Sequence, residues 1–171
     1  MTFKSADFTV KKLKSWGVKR FFDELLIKYL CSLGFRNFLY PVIYGPVERV
    51  VRKGRNSIPA AIFNTRSGYV RIGDGTVVGN ECMFLTGVHL FNNGIRKHED
   101  EVPSEGYDIT VGKGCWIAWG VTMIGGSSVP DNSIVCTGAV VTKKFTEPGV
   151  VLAGIPAKVI RKVGEIRETD E

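Results

Sequence analysis

The sequence predicts a mainly β protein whose short strands are wound into a parallel solenoid, and three observations carry that prediction. The first is a six-residue period of apolar side chains. Ile72, Val78 and Phe84 form one block, and Val111, Ile117, Met123, Val129, Val135 and Val141 form a second. In a chain that is 44% apolar, nine independent draws would all be apolar only roughly 0.0006 of the time. The second observation lies three places further on, where Gly75, Gly87, Gly114, Gly120, Gly126 and Gly138 stand, with Asn132 in the same slot. Glycine and asparagine tolerate positive φ, so each strand is expected to end in a tight left-handed turn. The third is the next position, held by Thr76, Cys82, Val88, Cys115, Val121, Ser127, Ser133 and Ala139. These side chains are small or compact, as a crowded corner requires, and such hexads bury a continuous core only by stacking.

Taken in order, residues 1–57 are expected to form a helical and irregular cap, 58–163 the solenoid, and 164–171 a short acidic tail. From Val18 to Leu33 the residues Phe21, Phe22, Leu25, Leu26, Tyr29, Leu30 and Leu33 recur at helical spacing, with Gly34 as a stop. This amphipathic helix is read as the cap of the open first coil, since terminal repeats need one. The competing reading is an anchor lying in a bilayer surface, which basic flanks and an aromatic stripe also suit. Pro41 and Pro46 argue against a long helix in 35–57, and from Ala60 to Tyr69 the repeat is only approximate. Between Leu90 and Val111 the phase is lost over 21 residues, and a polar loop spanning 92–108, with Gly94, Pro103 and Gly106, fills the gap. Loops of that length inside a compact repeat are uncommon and are usually functional or disordered.

Composition narrows the function classes. The 171 residues are enough for one substantial core, and no stretch of 18 apolar residues offers a membrane-spanning helix. The first residues lack the apolar run of a secretory signal. Cys31, Cys82, Cys115 and Cys136 show no close-spaced pair and are read as reduced, which points to the cytoplasm. The net charge of +6 is uneven: residues 1–56 hold 12 Lys and Arg against 4 Asp and Glu, and the remainder 11 against 13. A basic front of this kind suits an anionic lipid or glycan surface, or simply solvates a helix, and nothing in the chain matches a nucleic-acid module.

The hexads, followed by Ala153-Gly154-Ile155-Pro156-Ala157-Lys158-Val159-Ile160, resemble the left-handed β-helix acyltransferases. Thr86-Gly87-Val88-His89, Cys115-Trp116-Ile117-Ala118 and Thr137-Gly138-Ala139-Val140-Val141-Thr142-Lys143 strengthen the likeness. Within that superfamily the chain resembles the O-acetyltransferases of galactosides, maltose and bacterial surface polysaccharides. The resemblance implies a left-handed parallel β-helix of hexapeptide repeats, here with an N-terminal amphipathic helix and a protruding loop. It also implies a homotrimer, with acetyl-coenzyme A lying in the grooves between prisms and no metal.

The resemblance places the catalytic base at His89, in the last slot of the hexad led by Phe84 and at the brink of the loop. Transfer to a hydroxyl needs a group to take the proton as oxygen attacks the thioester carbonyl, and imidazole titrates near neutral pH. For coenzyme A the resemblance implies Trp119, Thr137, Thr142, Lys143, Lys158 and Arg161, although Trp119 is larger than the residue common there. Asn64 is implied near the reacting end. His98, in Arg96-Lys97-His98-Glu99-Asp100-Glu101, reads as an acceptor-binding residue or as support for His89 across a subunit interface, with a solvated charged loop as the competing reading. No partner orienting His89 emerges; Asp108, the acids at 99–101 and a backbone carbonyl are all candidates. Donors for the tetrahedral oxyanion are sought in backbone N–H groups near Ala118 and Trp119.

Rival functions are weaker. Some left-handed β-helices are zinc carbonic anhydrases with three histidine ligands, whereas this chain has two histidines. A non-catalytic scaffold or membrane-surface module is equally compatible with the hexads alone, and is disfavoured by the order in which His89, the loop, Thr142-Lys143 and the C-terminal run occur. An acetyltransferase acting on an amine or a xenobiotic is the remaining alternative.

Overall fold

The computed structural model describes Tyr29, residues 41–89 and residues 102–165. The predicted helix at 18–33 lies outside the described residues except for Tyr29, which is helical. The first part of the loop, His98, Cys31 and the end of the tail also lie outside them. The chain divides into two compact units, Met1–Leu39 and Tyr40–Glu171, and the second carries the β structure that follows.

Among the described residues, fourteen short strands wind through three sheets. Sheet one stacks β1 (Val42–Tyr44), β3 (Ala61–Asn64), β6 (Cys82–Leu85), β9 (Thr122–Ile124) and β12 (Val140–Val141). Sheet two stacks β2 (Val50–Arg52), β4 (Val70–Ile72), β7 (Ile109–Val111) and β10 (Ser128–Val129). Sheet three stacks β5 (Val77–Val78), β8 (Trp116–Ile117), β11 (Ile134–Val135), β13 (Val150–Ala153) and β14 (Lys158–Lys162). Every pairing is parallel except the last, where β14 returns antiparallel along β13. The chain visits the sheets in rotation, which is the path of a triangular prism.

Register explains where the period is clean and where it is not. In the later coils partners lie 18 residues apart, as in Thr110↔Ser128, Trp116↔Ile134 and Thr122↔Val140, so three hexads make one turn. Earlier, Val42 pairs with Ile62 and Ala61 with Cys82, because the corners after β1 and β3 hold two or three extra residues. That is why the repeat is only approximate before Val70. It also brings β1 and β2 into the stack, in a segment whose sequence reads as irregular. Across the loop the step is 39 residues, as in Val70↔Ile109, an excess of 21 over a regular coil. The whole insertion is therefore spent at one corner, between sheets one and two.

All nine period-six apolar residues are at most 2% exposed and face the prism axis. Phe63 and Phe84 stack on one another with centroids 4.9 Å apart and planes 7° from parallel. The corner slots are buried as well, except the half-buried Val88, and their polar side chains are tied to backbone, except the buried Ser127 hydroxyl, which has no partner among the described residues. Thr76 donates to the Gly112 carbonyl at 2.7 Å and accepts from Cys115 N at 3.1 Å. The Cys82 and Cys115 thiols are free, and burial pushes both up from the usual thiol range.

The turn slots follow the expected conformation with two exceptions. Gly75, Gly114, Gly120, Gly126, Gly138 and Asn132 all have positive φ, but Gly87 does not, and Glu81 at φ 60° takes a turn with a side chain ill suited to it. A β-carbon in the left-handed region costs roughly 1–2 kcal/mol. Glu81→Gly is therefore expected to raise the unfolding free energy by about 1 kcal/mol, partly offset by the freer unfolded chain. Gly138→Ala, at φ 71° with open space around it, is expected to lower it by about 1–2 kcal/mol. Denaturant titration of the two variants measures both.

Candidate active site

The corner between sheets one and two on the third coil carries His89, and a chain of buried hydroxyls fixes its approach. Thr86 and Ser67 are both fully buried. Thr86 N donates to the Asn64 carbonyl at 2.9 Å and its hydroxyl donates to the same oxygen at 2.7 Å. Ser67 N donates to the Thr86 hydroxyl at 3.2 Å, and Val88 N donates to the Ser67 hydroxyl at 3.3 Å. Each polar atom taken from water is thus paired, which is the condition for burying it without penalty. The backbone is held up to the residue before His89, whose side chain is exposed with no hydrogen bond or ion pair among the described residues. A fixed stem with a free imidazole suits proton transfer to something that arrives from outside.

Asn64 stands over this stem. Its side-chain oxygen accepts from Arg66 N at 3.1 Å, which orients the amide so that its nitrogen lies against Gly87. A β-carbon on Gly87 would fall 2.8 Å from Asn64 Cγ and closer still to the amide nitrogen. Glycine is needed at 87 for close approach, not for the left-handed turn the period suggests. The structure therefore brings Asn64 and the His89 segment together.

The returning limb of the loop packs on the same corner. Tyr107 N donates to the Ser67 carbonyl at 3.1 Å, and a β-carbon on Gly68 or Gly125 would run into Tyr107. Asp108 accepts from Tyr69 N at 2.8 Å and forms a short ion pair with Arg71. Burial pushes its carboxyl up, but the Tyr69 N–H, the Arg71 guanidinium and the charge of Arg49 together hold it below the usual carboxylate range. Asp108 is thereby engaged by Arg71 and Tyr69, and among the described residues no hydrogen bond or ion pair joins it to His89. Arg49 donates to the carbonyls of Thr65 at 3.1 Å, Arg66 at 3.0 Å and Ser104 at 2.6 Å, joining the first coil, this corner and the loop limb.

The residues expected to hold coenzyme A divide between two corners. Trp119, half exposed, and Thr137 sit one coil apart on the corner from sheet three to sheet one, where Gly138 N donates to the Trp119 carbonyl at 3.0 Å. Lys158 begins β14 beside that corner, opposite Ala153. Thr142 and Lys143 lie on the other corner, the one that carries His89, with Lys143 Nζ 5.3 Å from the Phe145 ring centroid. Thr137 and Thr142 are five residues apart along the strand path, at most about 18 Å. Arg161 is turned onto the carbonyls of Lys162 and Glu165 in the C-terminal hairpin. The Ala118 N–H, considered for an oxyanion, is already given to the Val135 carbonyl at 2.9 Å. Among the described residues no group of three or more His, Cys, Asp or Glu could hold a metal ion, and no helix is long and apolar enough to cross a membrane.

Sequence reasoning missed the Arg49–Tyr69–Arg71–Asp108 cluster. Its members lie in the irregular coils, and only the register that skips the loop brings Tyr69 beside Asp108. It also passed over Trp116, 56% exposed on the outer face of sheet three between Val77 and Ile134. The excess of apolar surface there is legible from period two: each inward residue has an outward neighbour.

No protein-family model matches the chain. The galactoside O-acetyltransferase of Escherichia coli is 28% identical over 145 residues, which is 84% of this chain and 69% of that one. A putative acetyltransferase of Saccharomyces cerevisiae is 44% identical over 57 residues, 33% of this chain, and the match spans only 29% of the yeast protein. Among solved structures, a galactoside acetyltransferase in complex with coenzyme A superposes with a TM-score of 0.60 at 24% identity, covering 93% of this chain and 86% of that one. The fold is thus the left-handed parallel β-helix of hexapeptide repeats.

Two substitutions test the corner. Gly87→Ala should displace the Asn64 amide and raise the acceptor KM about tenfold or more, with the thermal midpoint falling only slightly; steady-state kinetics and a melting curve measure this. For Asp108 the folded value lies below the unfolded one near ~3.9. Its contribution to stability is present above about pH 4 and is lost as pH falls through the folded value. Asp108→Asn should therefore flatten the acid limb of a plot of unfolding midpoint against pH.

Proposed function

We propose that this chain, a hexapeptide-repeat acyltransferase by fold and sequence kinship, moves an acetyl group from acetyl-coenzyme A to a hydroxyl of a sugar or surface-polysaccharide precursor. The observation that carries the reading is an exposed imidazole on a rigid stem, with the Asn64 amide packed against that stem at Gly87, where the repeat opens into its loop. The named relatives that act on galactosides support the sugar acceptor.

In the reaction, His89 takes the proton of the acceptor hydroxyl as its oxygen attacks the thioester carbonyl. The carbonyl π electrons move to oxygen, and the tetrahedral intermediate collapses with loss of the coenzyme A thiolate. The imidazolium returns the proton to that sulfur. Both substrates are bound at once, so much of the rate comes from holding them in register. No acyl-enzyme is invoked, since the Cys82 and Cys115 thiols face the core and not the acceptor.

The divided coenzyme A residues suit a homotrimer. A groove between two prisms would take Trp119, Thr137 and Lys158 from one chain and Thr142 and Lys143 from its neighbour, with His89 at its mouth. Polar groups there meet the pantetheine amides and basic groups meet phosphates. Arg161 would reach a phosphate only after releasing the Glu165 carbonyl. His98 is assigned to the acceptor side of the loop, and the basic segment 1–56 to peripheral contact with the inner face of a membrane in the cytoplasm. Residues 58–163 would be the catalytic domain and 164–171 a tail.

Thiol release from acetyl-coenzyme A against a panel of mono- and oligosaccharides tests the activity. His89→Ala is expected to lower kcat by about 10²–10⁴-fold with an unchanged melting temperature, since the side chain is exposed. Release with amines or hydroxylated antibiotics and with no sugar would move the reading to that acceptor class. No release with any acceptor would end it. Lys143→Ala should raise the donor KM several-fold and leave the acceptor KM alone.

A further inference from the structure

We infer that the acceptor carries an anionic group, a sugar carboxylate, and that Arg66 receives it beside His89. This specifies the acceptor of the acetyl-transfer reading and rests on it.

Among the described residues, the corner that carries His89 holds three guanidinium groups, those of Arg49, Arg66 and Arg71, and one carboxylate engaged in an ion pair, that of Asp108. Arg71 is paired with Asp108 and lies 4.6 Å from the Tyr69 ring centroid. Arg49 lies 5.6 Å from the same centroid, and all three of its hydrogen bonds go to neutral carbonyls. Its charge therefore reaches the corner without a carboxylate of its own, and it is felt by Asp108. The exposed acids nearest in sequence, Glu48 and Glu105, form no ion pair among the described residues, so neither neutralises it. Tyr69 is 37% exposed, an aromatic ring with both guanidinium groups within reach of its centroid.

Arg66 is different in kind. Its backbone is pinned twice, by the Asn64 side chain on its N–H and by Arg49 on its carbonyl. Its side chain is exposed and has no hydrogen bond or ion pair among the described residues. The next residue, Ser67, bonds directly to Val88 N, so the Arg66 backbone stands one coil from His89. Coils are spaced about 4.8 Å apart, and an arginine side chain spans more than that. A planar guanidinium offers a carboxylate two parallel N–H donors, an arrangement that fixes orientation as well as affinity. An acceptor bound that way would present a hydroxyl to His89 while its carboxylate lies on Arg66 and its ring near Tyr69. A neutral sugar would leave Arg66 without a partner.

The test uses the full chain and acceptors matched except in charge: methyl glucuronide and the methyl glycoside of a sialic acid, each beside its carboxamide. Thiol release should give a KM at least about tenfold lower for the acid than for the amide, with the ratio falling as salt is raised. Arg66→Gln should bring the ratio close to one and Arg66→Lys should restore part of it. Arg55→Gln, an exposed cation at another corner, should leave the ratio unchanged. An acid-to-amide ratio near one in the natural chain, or a ratio that survives Arg66→Gln, overturns the proposal while leaving acetyl transfer to sugars intact. If no acceptor supports thiol release, the acetyl-transfer reading fails. Calorimetry of the uronate alone then decides the proposal: binding lost in Arg66→Gln supports it, and no binding overturns it.

Discussion

Everything in this molecule hangs on one requirement, that strands 18 residues apart lie in parallel register. Parallel ladders bury their backbone groups only when strands stack without slippage, because a one-residue slip turns every inward side chain outward. The hexad meets that requirement with one apolar residue inward, one small residue at the corner and one residue able to turn left-handed. The later coils obey it without exception, and their inward residues are essentially without solvent contact. The prism can thus act as a fixed scaffold against which loops and corners are placed.

The candidate site lies where the requirement is relaxed. The corner between sheets one and two absorbs the extra residues after β1 and β3, and then the whole insertion of 21. Freed from the period, it uses threonine and serine hydroxyls in place of a regular ladder. The rigidity of the His89 stem therefore comes from side-chain bonds on Thr86 and Ser67. Gly87 shows the exchange in one residue: it keeps its place in the repeat but has given up the repeat's conformation to seat an asparagine.

The sequence is most legible where physics is periodic. The nine inward positions, most of the buried corners and five left-handed glycines can be read directly from spacing, whereas Gly87, a sixth glycine in the same slot, is not left-handed. His89 is legible because it stands at the edge of the period. Asn64, in the irregular coils, depends on resemblance. The Arg49 contacts and the Asp108–Tyr69 bond escape because they join residues 39 and 55 positions apart across the loop, and no local pattern encodes such a distance. Glu81 in a left-handed turn escapes for the opposite reason: the fold imposes that conformation against the residue's own preference.

The antiparallel return of β14 along β13 has a consequence for the society of such molecules in a crowded solution. A solenoid of identical turns has no inherent end; its last rung is a template for another rung, and stacked rungs of separate molecules would grow into a filament. A strand running the wrong way, begun by the exposed Lys158, presents a mismatched hydrogen-bond pattern and a repelling charge. On sheet three the hairpin therefore acts as a stop codon written in backbone, letting a self-similar structure remain a discrete one.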